Sequence, residues 1–114
     1  MTSYVIDYFE LPTTDTVRSS AFFREAFGWG EKAYGPGYSE ILDAGVLGGL
    51  NASPDGRSAG PVLGIRTDDI EAAQAAIEKA GGTISIAPHD YPGGRRFFFR
   101  EPGGAELLVY WVNQ

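Results

Sequence analysis

RTDDIEAAQAAIEKAGGTI, residues 66–84, spells out a helix with both ends marked. Asp68 or Asp69 supplies a side-chain oxygen for the first unpaired amides, Ile70, Ala73, Ile77 and Ala80 form one apolar stripe, and Gly81-Gly82 closes the helix. A second stretch, TTDTVRSSAFFREAFG, residues 13–28, has the same layout. Asp15 caps it, Val17, Ala21, Phe23, Ala26 and Phe27 recur at roughly helical spacing, and Gly28 ends it. Thr14-Asp15 and Thr67-Asp68 head the two helices, Phe27-Gly28 and Ala80-Gly81 finish them, and one offset of 53 residues relates both ends (14 to 67, 28 to 81). The spacing predicts an internal repeat.

Working outward, each helix follows an apolar strand, YVIDYFEL (4–11) or PVLGIRT (61–67), and precedes three short strand-like stretches. In the first half these are Lys32–Tyr34, Tyr38–Asp43 and Val46–Ala52, broken by GPG and Gly45; in the second they are Thr83–Ala87, Arg95–Arg100 and Ala105–Val112, broken by YPGG and EPGG. NASPDGRSAG, residues 51–60, is polar and glycine-rich and reads as the linker. The fold class predicted is α+β: one domain over 1–114, built of two βαβββ modules at 4–52 and 61–112. Two such sheets curving toward each other form a mixed-sheet cup, and a lined concavity suits a small ligand.

Composition narrows the chemistry. The 114 residues suit one domain, of the roughly 100–150 residues common for domains. Without cysteine, neither disulfides nor thiolate chemistry is available. A net charge of −6 repels phosphate backbones and anionic membranes, so nucleic acid and membrane are not expected as partners. No apolar run resembles a secretion signal or a membrane span, and the expected location is the cytoplasm. The glycines of GVLGGL lack phosphate-loop spacing and lead into no helix, so they read as strand positions that leave space.

YFELPTTDTVRSSAFFREAFGWG (8–30), VLGGL (46–50), GIRTDDIEAAQAAIEKAGGTI (64–84) and YPGGRRFFFREPGGAELLVYW (91–111) resemble, in order, segments of the glyoxalase, bleomycin-resistance and dioxygenase superfamily, the vicinal oxygen chelate proteins. The resemblance covers nearly the whole chain and implies the paired-module fold. Many members hold a divalent metal at four positions, which fall here on Tyr8, Gly49, Val62 and Leu108. Such ions want imidazole or carboxylate groups at about 2.0–2.2 Å. Valine, leucine and glycine offer none, so no metal and no cofactor is expected. The resemblance then points to metal-free, drug-sequestering relatives and, by the family's habit, to a homodimer. Glu106 lies two residues from Leu108, and a register slip would bring only that one carboxylate.

If Tyr8 lines the cup, alternation places Ile6 and Glu10 beside it, with Phe9 and Leu11 facing the helix. Glu10 either pairs with an arginine such as Arg96 or contacts a ligand, and it is the candidate general base. On the last strand, Tyr110 shares the side of Leu108, while Phe97–Phe99 read as core. His89, the single histidine, is expected in a loop: either it is solvated surface or, with Tyr91, it overhangs a ligand. Trp29 and Tyr38 are rim candidates. The expected function is binding of a small organic molecule in the cup without a metal. The alternatives are a metal-free lyase or isomerase using Glu10, a metal-dependent glyoxalase-like enzyme or dioxygenase with unconventional ligands, and an interaction module with a sealed cup.

Overall fold

Asp15 and Asp69 start the two helices, each with extended backbone and a carboxylate that accepts the amide of the residue three further on, Arg18 at 3.1 Å and Ala72 at 3.0 Å. That satisfies a donor the helix leaves unpaired. The computed structural model describes residues 3–112. In chain order its elements are β1 (Tyr4–Pro12), α1 (Thr16–Phe27), β2 (Gly30–Ala33), β3 (Tyr38–Leu42), β4 (Leu47–Asn51), β5 (Val62–Thr67), α2 (Ile70–Lys79), β6 (Thr83–Tyr91), β7 (Gly94–Arg100) and β8 (Glu106–Val112). Both βαβββ modules of the sequence repeat are present. The second cap is Asp69, so the caps lie 54 residues apart (15 to 69). Among the described residues no helix is long and apolar enough to cross a membrane.

The chain forms two compact units. One runs from Tyr8 to Val62; the other gathers the residues from Leu63 onward with those up to Asp7. β1 is therefore shared, and its first residues group with the second unit. In the first unit the strand order is β2-β3-β4-β1, with β1 parallel to β4 and the other pairs antiparallel. The second unit repeats this as β6-β7-β8-β5, with β5 parallel to β8.

α2 packs as its stripe predicts. Ile70 and Ala73 join Phe97, Phe99 and Val109 in a buried cluster, with Ile65, Ile77, Ile84, Leu107 and Trp111 packed against it. Alternation then puts Arg96, Phe98, Leu108 and Tyr110 on the opposite face of β7 and β8. α1 departs from its predicted stripe: Val17 is 74% and Phe27 61% exposed, and the buried positions are Thr16 and Ser20. The cap fixes the helix phase, and small side chains at 16 and 20 let the helix approach closely. Phe27, beside the terminating Gly28, instead packs with Phe22 and Trp29 at the helix end.

His89 is not in a loop. β6 continues to Tyr91 by way of two register shifts, between Ile84 and Ile86 and between Ile86 and His89. The second shift spans Pro88, which has no amide to give a ladder, and β6 is the last strand in its unit's order.

Between β7 and β8 the EPGG turn is held by Glu101, whose carboxylate accepts the amides of Ala105 at 2.7 Å and Gly103 at 2.9 Å. These two bonds, Ala105's first, hold its carboxyl below the usual range. A lowered folded-state value means the contribution is present above the ordinary carboxylate range and is lost as pH falls through the folded value. Glu101→Gln should therefore be less stable than the parent chain at pH 7, with the difference shrinking as pH falls through and below the ordinary carboxylate range. Urea unfolding across that range checks it, and a difference that persists in acid contradicts it.

Candidate functional site

In the first unit, register sets Glu10 of β1 beside Gly49 of β4, and Asn51 of β4 between Pro12 and Tyr38. Tyr8, two residues before Glu10, shares its face. A Cβ at Gly49 would collide with the hydroxyls of both Tyr8 and Tyr38, so only glycine lets the two phenols meet there. They hydrogen-bond to each other, and Tyr38 also donates to Glu10 Oε2 at 3.2 Å. Tyr38 has a single proton and gives it to the carboxylate, so Tyr8 is the donor within the phenol pair.

Glu10 is 2% exposed. Burying a carboxylate costs several kcal/mol by rough estimate unless donors meet it. Tyr38 meets one oxygen, and Asn51 Nδ2 donates to the other, Oε1, at 2.8 Å. The Asn51 amide is itself fixed: Nδ2 also donates to Gly56 O at 2.9 Å, and Oδ1 accepts Ser53 N at 2.9 Å. Sequence reasoning placed Asn51 both in the Val46–Ala52 strand and at the start of the linker, and gave it no role in the site. The signal that would have found it was alternation, because two residues beyond Gly49 it falls on the same face.

In the second unit, direct pairing builds a row across four strands: Arg66 of β5, Tyr110 of β8, Arg96 of β7 and His89 of β6. Arg96 is 4% exposed, with its guanidinium 5.3 Å from the ring centres of both Tyr91 and Phe98. A guanidinium is attracted to aromatic faces at this range. Arg96 Nε donates to His89 Nε2 at 3.4 Å, so the imidazole's proton is on Nδ1, which donates to Ala87 O at 2.8 Å. The imidazole also lies parallel to Phe98, 6.4 Å away. Tyr110 donates to Asp7, and burial first, then that bond, push its phenol well above the usual range.

The structure thus brings Tyr8, Glu10, Tyr38 and Gly49 together in one unit, and His89, Tyr91, Arg96 and Tyr110 in the other. Tyr38, read as rim, is central to its cluster. Trp29 is not brought to that cluster: it stacks on Phe23 at 5.2 Å and packs on Phe27 at 5.3 Å, both from α1. Phe98 is core by burial yet faces His89 and Arg96 rather than α2. Leu108 pairs with Gly64 and Phe98, whereas Glu106 pairs with Arg100, 3.8 Å away, and accepts from Ser85 at 2.6 Å.

A divalent metal does not fit the positions the resemblance marks. Val62 and Leu108 are buried aliphatics, Gly49 has no side chain, and Tyr8 is hydrogen-bonded to Tyr38. Among the described residues no group of three or more histidine, cysteine, aspartate or glutamate side chains is placed to hold an ion.

Comparison with known proteins gives a match to the Glyoxalase/Bleomycin resistance protein/Dioxygenase superfamily over residues 5–109. An uncharacterized protein of Mycolicibacterium smegmatis is 32% identical over 100 residues, covering 86% of each chain. The anthracycline biosynthesis protein DnrV of Streptomyces peucetius is 28% identical over 124 residues, which cover 90% of this chain. The chain spans only 45% of the length of that relative. A solved superfamily member from Vibrio splendidus 12B01 has the same fold, with a TM-score of 0.67 at 19% identity, over 99% of this chain and 100% of its own.

Asn51→Asp would set a second carboxylate against Glu10 Oε1, and two carboxylates at that distance keep one proton between them. The pair's folded-state titration is then raised, so stability is present in acid and lost as pH rises through it. The variant should be destabilised by about 3–5 kcal/mol near pH 7.5, the range for an uncompensated buried charge, and should recover most of that by roughly pH 4.5. Equal destabilisation at both pH values, measured by chemical unfolding, contradicts this account of the cluster.

Proposed function

Because the chain belongs to the Glyoxalase/Bleomycin resistance protein/Dioxygenase superfamily, we propose that it is a small-molecule-binding member that holds an organic ligand without a divalent metal. One observation carries the proposal: where many relatives place a metal-ligating corner, the first unit has a buried carboxylate oriented by Tyr38 and Asn51 beside a phenol pair over Gly49. An acceptor already held by two donors needs no reorientation of its own carboxylate to meet a ligand's hydroxyl or amine, and preorganisation of this kind reduces what binding costs. With each oxygen of Glu10 already engaged by a neutral donor, the carboxylate suits holding a polar group better than shuttling a proton.

The ligand class follows from the same chemistry. Tyrosine rings and a fixed acceptor favour a hydroxylated planar aromatic, and the name of the Streptomyces relative makes an anthracycline the first compound to try.

Calorimetric melting with doxorubicin, and with 2-naphthol as a minimal hydroxylated aromatic, tests the proposal in buffer containing excess EDTA. A ligand at 100 times its dissociation constant adds about 2.7 kcal/mol of stability, so a clear rise in melting temperature is expected in EDTA. No rise with either compound, or a rise that EDTA abolishes, contradicts it.

A further inference from the structure

Glu10 is 2% exposed, so a ligand that reaches its carboxylate needs part of the chain to move. The segment from Ala52 to Gly60 is tied to Glu10 through Asn51. It holds no large apolar side chain, only alanine, serine, proline, aspartate, glycine and arginine. What fixes it is polar. Asn51 donates one proton to Glu10 Oε1 and one to Gly56 O, and its own oxygen takes the amide of Ser53. Ser53 Oγ then accepts the amide of Gly56 at 3.1 Å, Ala52 N donates to Gly37 O at 2.9 Å, and Arg57 donates to Thr13 O. Segments held by few polar contacts open at far lower cost than the fold as a whole.

We infer that Asn51 is the positioning residue of Glu10 and, by the same amide, the latch of a strap formed by residues 52–60. The two protons of one planar NH2 group bind the carboxylate and the strap together, so an amide that rotates away from one partner leaves the other as well. Loosening Glu10 frees the strap, and freeing the strap uncovers the amide that orients Glu10. That the strap gates ligand entry rests on the ligand-binding proposal above; the mechanical coupling does not.

The coupling is read without a ligand. Trypsin can cut the strap after Arg57 only when it opens, and cleavage of a transiently open segment follows the open population when closing is fast. Formation of the 1–57 fragment, followed by mass spectrometry under conditions where circular dichroism shows folded protein, should be roughly tenfold faster in both Asn51→Ala and Glu10→Gln than in the parent chain. Asp69→Ala, which removes the cap of α2 in the other unit, should leave that rate unchanged. Should Asn51→Ala fail to fold, hydrogen exchange in the parent chain decides: the amides of Ser53 and Gly56 should exchange at least about tenfold slower than in an unstructured chain. A parent-like cleavage rate in Glu10→Gln, equal acceleration by Asp69→Ala, or unprotected Ser53 and Gly56 amides each overturns the latch. A working latch in a protein that binds neither aromatic compound overturns only the proposed function.

Discussion

Two adjacent glycines in β4 determine what the first unit can hold. A side chain at Gly48 would run into the ring of Phe9, and one at Gly49 into the hydroxyls of Tyr8 and Tyr38. Successive residues point to opposite faces, so the pair clears both sides of the strand at one level. On one side the ring of Phe9 takes the space a side chain at Gly48 would fill; on the other, two phenols meet and bring a proton to Glu10. That arrangement gives the buried carboxylate one donor, and Asn51, two residues along β4, meets its second oxygen.

The second unit reaches a different solution on the same topology. Its corresponding face carries a buried guanidinium, that of Arg96, 5.3 Å from two aromatic ring centres and hydrogen-bonded to the His89 imidazole. Tyr110, one strand over, is kept protonated by burial and by Asp7. The two units thus share a backbone plan while the two faces differ in charge, one built around a carboxylate and one around a guanidinium. Among the described residues neither presents a cluster of imidazole and carboxylate groups of the kind that holds a divalent ion.

Most of the architecture was legible because local chemistry specified it. Asp15, Gly28 and Gly81 mark helix ends through capping and left-handed backbone, and YPGG and EPGG mark turns, so both modules could be read from single residues. Strand alternation likewise put Tyr8 with Glu10 and Leu108 with Tyr110. The misreadings share a cause, which is information held by partners distant in sequence. His89 reads as loop because of Pro88, yet pairing with Arg96 carries β6 across a bulge. Val17 reads as helix core, yet the sheet accepts Thr16 and Ser20 instead. Asn51 reads as the start of a polar linker, and only the proximity of Glu10, 41 residues earlier, gives it a role.

In the first unit, the space above Gly49 is closed to a coordinating side chain and filled by phenols, which leaves a carboxylate acceptor beside two of the positions the family resemblance marks for a metal. Isothermal titration of Zn2+, Mn2+ and Ni2+ into protein stripped with EDTA tests that most directly. The account predicts no saturable one-to-one binding in the micromolar range for any of the three. Stoichiometric uptake of one ion per chain that disappears in Tyr8→Phe would contradict it.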